Sequence, residues 1–229
     1  MIDRYSLINT NSISEFLVDK TTILKSLYNA KPTLELPIID INKKKIINTL
    51  WGSNPLLSNN RSLAKRLVNL DISKIKKSNI LLNQFKFDRC LIPCDGFYFW
   101  KKINKKEKTP YYFSFQKDKL MYCAGIKEKY EDLSGNSFYY FTFLTTQSDI
   151  KWRKYTNYSP LIFDSRYFDI WFDKRSNFNK TLSFMSPFRF SDFNNYSISP
   201  YFEKKSLFDK TVIEAKENLN QYGNYSLFD

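Results

Sequence analysis

Histidine is absent from all 229 residues. That removes every mechanism needing an imidazole base and most mixed Cys/His metal sites. Cysteine is scarce as well. Three thiols, odd in number and irregularly spaced, make neither a disulfide framework nor a zinc site. Reduced, buried thiols in a cytoplasmic protein are therefore expected, with no metal and no cofactor. No apolar run approaches the ~20 residues of a membrane span. The start, Met1-Ile2-Asp3-Arg4-Tyr5-Ser6, lacks the basic, apolar, then small order of a signal peptide. Glycine is rare, at five residues, and builds no phosphate-cradling loop. No internal repeat or heptad run is present.

What the chain does have is aromatic. Aromatics make up 18% and apolar residues 42%, which excludes a disordered protein. The length suits one domain over 1–229 with an ample core, and the polar tail over 215–229 is expected to be loosely ordered. The net charge of +13 admits two readings. Clustered Lys and Arg attract a polyanion and displace its counterions. Alternatively, abundant Lys, Asn, Ile, Tyr and Phe beside scarce Gly reflect AT-rich codons, and the lysines are solvated surface.

Periodicity places the elements. Ile13, Phe16, Leu17, Ile23, Leu24 and Leu27 carry helical spacing after an N-cap signal, over 10–27. Lys31-Pro32 breaks it, and Leu34, Leu36 and Ile38 alternate as a strand. Ile46 to Trp51 is another short strand, 53–62 a loop, and Leu63 to Leu70 a helix or a strand. An amphipathic helix is expected over 73–87. From 88 to 146 the chain is strand-rich, with connections at Asn104-Lys105 and Pro110, Lys117-Asp118, and Ser134-Gly135-Asn136. A short helix over 167–172 and a last strand over 197–202 follow.

Within the strand-rich part, Cys90-Leu91-Ile92-Pro93-Cys94-Asp95-Gly96-Phe97-Tyr98-Phe99-Trp100 reads as a buried strand, a tight Asp-Gly turn and an aromatic strand. It resembles C-L-I-P-A-D-G-F-Y-E-W, the signature of the SRAP (SOS response-associated peptidase) family. Other segments fall in the same order. Met1-Ile2-Asp3-Arg4-Tyr5-Ser6-Leu7 is similar to M-C-G-R-Y-S-L. Tyr28-Asn29-Ala30-Lys31-Pro32 resembles Y-N-x-A-P, and Trp51-Gly52 with Pro55 resembles W-G-x-x-P. Asn69-Leu70-Asp71 stands for N-A-R, Thr145-Thr146-Gln147 for T-T-x, and Thr156-Asn157-Tyr158-Ser159-Pro160 for H-D-R-M-P. The resemblance spans about residues 1–202.

It implies an α+β fold, a β-barrel-like mixed sheet with flanking helices, that binds single-stranded DNA in a basic cleft. It also implies abasic-site trapping in a DNA-damage context. In the family the initiator Met is removed, and the exposed Cys closes a thiazolidine on the sugar aldehyde with Asn, Glu and His assisting. Here the Cys position holds Ile2, which has no thiol, and so branched a second residue is expected to retain Met1. The Glu position holds Phe99, which moves no proton. The His position holds Thr156, which does not titrate near neutrality. Only Asn69 is kept, with a structural and a functional reading both open.

The positions that the resemblance assigns to DNA are Arg4, Pro32, Trp51, Asn69, Thr145 and Tyr158. Two family arginines are lost, to Asp71 and Tyr158. Arg61, Lys65 and Arg66, or Lys101, Lys102, Lys105 and Lys106, could compensate, although such runs are commonly solvated. Three functions follow: a DNA-binding protein that has lost the crosslinking chemistry, a protein-interaction module on the same fold, or residual abasic-site capture through another group. The Met1 α-amine is one such group and Cys94 another.

Overall fold

The computed structural model describes residues 2–17, 24–52, 68–104, 106–115, 120–131, 134–187 and 189–216. Among them thirteen strands form two sheets. Strands β1 (Tyr5–Leu7), β2 (Leu27–Ala30), β3 (Glu35–Asp40), β4 (Lys45–Trp51) and β5 (Asn69–Asp71) precede β6 (Arg89–Cys94) and β7 (Gly96–Lys102). Strands β8 (Lys108–Phe115), β9 (Met121–Glu131), β10 (Ser137–Gln147), β11 (Tyr158–Phe163), β12 (Met185–Pro187) and β13 (Phe193–Ser197) complete the set. One sheet runs β13-β8-β7-β1-β2 and the other β12-β11-β9-β6-β3-β4-β10-β5. Because β9 pairs with both β6 and β10, the second sheet closes on itself. The expected α+β, barrel-like mixed sheet is what the chain forms.

Alternation explains the packing of the signature. In β7, Phe97 and Phe99 face the main core, whereas Tyr98 packs with Tyr112, Ile198, Phe202 and Val212 on the opposite face. The Asp-Gly step is not the hairpin turn expected. β6 and β7 lie in different sheets, and Asp95 is the corner between them. Its carboxylate accepts from Ser6 Oγ at 2.7 Å and from the Ile8 and Asn9 amides at 2.5 and 2.8 Å. Gly96 is required by close approach, since a Cβ there would come within 2.4 Å of Tyr112 Oη.

The helical segments correct three expectations. The described part of 10–27 holds a 3-10 helix, Thr10–Phe16, and Leu27 already belongs to β2. The helix over 73–87 is two, α1 (Ile72–Ile75) and α2 (Asn79–Phe87), because Ser78 caps a fresh start by accepting from the Leu81 amide. Among the described residues the last strand is β13. Beyond it Ser199 caps a 3-10 helix over Pro200–Lys204, where proline suits a first turn. The hairpin connection expected at Asn104 joins β7 to β8, and Pro110, expected as part of it, sits in β8 opposite Trp100. The short helix near 167 is present as α3 (Phe168–Phe172), followed by α4 (Phe178–Leu182). The 53–62 loop, the 63–67 part of the undecided segment, the Lys117-Asp118 turn and the tail beyond 216 lie outside the described residues.

Arg89 locks these helices to the barrel. It is fully buried, and its fork donates to Trp171 O at 3.0 Å, Phe85 O at 3.1 Å and Asp173 O at 2.9 Å. Its guanidinium lies 5.3 Å from both the Phe85 and Trp171 rings. Desolvation lowers its pKa to about 10, so it stays charged at neutral pH. Cys90, Cys94 and Cys123 are free and buried, as expected, with the Cys94 and Cys123 sulfurs 3.5 Å apart. Burial pushes the Cys90 and Cys94 thiols and the Tyr5 phenol above their ordinary values.

Candidate nucleic-acid interface

Three strands build the site. β5 runs parallel to β10, pairing Asn69 with Phe143 and Asp71 with Thr145. β11 runs antiparallel on the other side of β10, pairing Pro160 with Thr145 and Tyr158 with Gln147. Side chains two apart share a face, so Asn69, Asp71, Thr145 and Tyr158 converge. With Lys74 of α1 they line a cavity of about 130 Å³. A second cavity of about 390 Å³ shares the Tyr158 wall and adds Gln147, Ser148, Arg153 and Asn157. The two are open hollows along one groove.

Asn69 and Ile2 meet at its inner edge. The Asn69 amide donates from Nδ2 to the Ile2 carbonyl at 2.6 Å, fixing the start of the chain. Its Oδ1 is buried and has no hydrogen-bond partner, an acceptor that costs stability unless a ligand or water meets it. The Ile2 side chain is wholly buried in the main core. Thr145 is 2% exposed and donates to Leu70 O at 3.3 Å.

The other expected positions lie elsewhere. Phe99 is 3% exposed, with ring centres 6.2 Å from Phe97, 5.7 Å from Phe113 and 5.8 Å from Trp152. Its edge reaches a separate hollow of about 210 Å³ that Asp3, Trp100, Lys102, Lys108 and Tyr155 also line. Thr156 is buried and donates from Oγ1 to Tyr158 O at 2.8 Å, which shapes the bend into β11. Arg4 donates to Asn29 Oδ1 at 2.8 Å and covers the Phe202 ring. Trp51 is 1% exposed, and its Nε1 donates to Val68 O at 3.1 Å. Pro32 is half-buried in the turn before β3.

Two cations of the groove escaped the sequence reading. Lys74 follows the Asp71 N-cap, whose carboxylate accepts the Ser73 amide at 2.9 Å. Positions three apart on a helix share a side, so the charge lost at Asp71 returns one turn later. Arg153 sits in the basic run Lys151-Trp152-Arg153-Lys154 just before the Thr156 slot. Its Nε donates to Ser148 O at 3.3 Å, which orients the guanidinium. The proposed compensators Arg61, Lys65, Arg66 and Lys105 lie outside the described residues. Lys102 and Lys108 face each other across β7 and β8, away from this groove.

Among the described residues no group of three His, Cys, Asp or Glu could hold a metal ion, and no helix is long and apolar enough to cross a membrane.

The chain is 23% identical over 175 residues to the abasic site processing protein YoqW of Bacillus subtilis, covering 75% of this chain and 78% of that one. It is 22% identical over 195 residues to YoaM of the same organism, another abasic site processing protein, covering 84% and 86%. A crystal structure of a Bacteroides thetaiotaomicron protein superposes with a TM-score of 0.79 at 19% identity, covering 93% of this chain and 99% of that one. A sequence model of the SOS response associated peptidase (SRAP) family matches residues 1–204, and the chain belongs to that family.

Proposed function

We propose that this protein binds single-stranded DNA in the abasic-site context of its relatives, as a cytoplasmic, nucleic-acid-associated protein, without the thiazolidine crosslink. The observation that carries the reading is the groove itself. It combines an aromatic ring for stacking (Tyr158) and an oriented guanidinium for phosphate (Arg153) with the retained Asn69 in its lining. Arg4 and Pro32 lie outside the groove, and Thr145 shapes its floor. Trp51 supports it from within the core rather than stacking on a base.

The loss of chemistry follows from the residues. A thiazolidine needs a thiol beside the terminal amine, and position 2 carries an alkyl group sunk in the core. Phe99, enclosed by three rings, supplies no acid or base. Fluorescence anisotropy with a labelled single strand tests the binding. Affinity is expected to fall steeply with salt, and Arg153→Ala to flatten the log–log slope by ~0.7. Tyr158→Ala is expected to weaken binding by ~1–3 kcal/mol. No binding at low salt would sink the reading.

The filled Phe99 position also favours a second reading, a protein-interaction module on the same fold. The exposed Phe138 and Tyr139 of the β9–β10 hairpin offer a surface for it. It requires a protein partner whose binding survives Arg4→Glu.

A further inference from the structure

The groove uses none of the chain's cysteines, yet two of them meet in the core. Cys90, Ile92 and Cys94 share one face of β6, and Met121, Cys123 and Gly125 of β9 lie on the same face of the sheet. The register sets Ile92 opposite Cys123 and Cys94 opposite Met121, so Cys94 and Cys123 are diagonal neighbours. Their sulfurs lie 3.5 Å apart, one thiol donating to the other, and both residues are wholly buried. Cys90 stands apart from the pair. It is opposite Gly125, where an added Cβ would lie 2.9 Å from its sulfur, so that thiol packs on backbone.

A phenol completes the cluster. Tyr5 comes from β1 of the other sheet and lies within electrostatic reach of Cys94 first, then of Cys123 and Cys90. Its Oη is buried and has no hydrogen-bond partner, which costs stability and leaves a donor ready for an oxygen placed on a neighbouring sulfur. We propose that Cys94 and Cys123 form a latent disulfide, closed by a small peroxide, with Tyr5 holding the oxygen of the intermediate.

The step balances with hydrogen peroxide as the oxidant. The Cys94 sulfur attacks the O–O bond. An S–O bond forms, the O–O bond breaks, and the thiol proton leaves with the displaced oxygen as water. The Tyr5 hydroxyl donates to the sulfenic oxygen so made. The Cys123 sulfur then attacks the Cys94 sulfur; the S–S bond forms, the S–O bond breaks, and the second thiol proton leaves with that oxygen as water. Two thiols have lost two electrons and one peroxide has gained them. Reaching a disulfide length of ~2.05 Å asks each sulfur to move ~0.7 Å. Burial raises the Cys94 thiol and thiolate is the reactive form, so closure is slow and accumulates with exposure. Cys94 leads into the Asp95 corner, whose carboxylate holds Ser6 and the Ile8 and Asn9 amides. The link therefore fastens β6 to β9 where the start of the chain is anchored.

Full-length folded protein is incubated with hydrogen peroxide over hours, quenched, then denatured, alkylated with iodoacetamide and read by mass spectrometry. A parallel sample is oxidised in urea. In the folded sample two of the three thiols should escape alkylation, one peptide pair should be joined through Cys94 and Cys123, and dithiothreitol should restore all three. Cys90→Ser should leave the link intact and Cys123→Ser should abolish it. Tyr5→Phe should slow closure by about fivefold, the worth of one ordinary hydrogen bond. Three alkylated thiols after peroxide, a sulfinic acid in place of the link, a link through Cys90, or a link that forms only in urea would each overturn the inference.

Discussion

Replacing Arg89 by alanine removes three hydrogen bonds at once, from Nε, Nη1 and Nη2 to the carbonyls of Trp171, Phe85 and Asp173. Each carbonyl left without a donor costs ~1–3 kcal/mol, and water entering the vacated space returns part of that. A net loss of about 3–5 kcal/mol is expected, the range found when one member of a buried charged constellation is deleted. Against a typical domain stability of ~5–15 kcal/mol, that is a large share. With a urea slope of ~3 kcal/mol/M, the midpoint should drop by about 1–1.7 M, followed by tryptophan fluorescence. Trp171 stacks on Arg89, so it reports the change locally as well. Arg89→Lys is expected to recover less than half, because one ammonium cannot span three diverging acceptors. A midpoint shift below ~0.3 M for the alanine variant, or full recovery with lysine, would refute the reasoning.

Two further perturbations probe the core around the family signature. Phe99→Glu restores the family's carboxylate in a 3%-exposed slot. Burial should raise the introduced carboxyl's pKa, so its stability deficit, about 3 kcal/mol at neutral pH, should shrink as pH falls toward the unfolded value of ~4.3. Urea midpoints at pH 5 and 8 check this, and no deficit at pH 8 would mean that the pocket is open. The second perturbation is pH itself. Cys90, Cys94 and Tyr5 have folded pKa values raised by burial. Their contribution is whole below the unfolded values of ~8.5 for thiols and ~10 for phenols, and is lost as pH climbs past them. Urea midpoints should therefore hold to about pH 8 and decline steadily to pH 10.5; a flat profile would contradict it.

Much of the fold was legible because strand signals here are local. The aromatic alternation of 96–102 and 108–115 places Phe97 and Phe99 on one face and Tyr98 on the other with no tertiary information. Asp95-Gly96 misled, since the same dipeptide serves a hairpin or a corner, and only the contact with Ser6 on β1 decides between them. Ser78 and Ser199 cap new helical starts that hydrophobic periodicity does not reveal, so in the sequence one helix runs long and a 3-10 helix resembles a strand. The site was half legible. The structure brings Asn69, Thr145 and Tyr158 into one lining. Lys74 and Arg153 were hidden because each is one of many cations in a basic chain. Only the pairing of β5, β10 and β11 shows which of them face the groove. Trp51 shows the converse: its sequence context suggests a stacking ring, and its burial under β10 depends on long-range pairing.

A single reaction, split between two gels, bears most directly on the account. The protein is incubated at low salt with a labelled abasic single strand and no reductant. Half is run native and half after heating in detergent. Retained binding with lost thiazolidine chemistry predicts a shifted band on the native gel that disappears on heating. A heat-stable adduct would show that crosslinking survives without a residue-2 thiol, and an unshifted native band would show that the groove does not hold DNA.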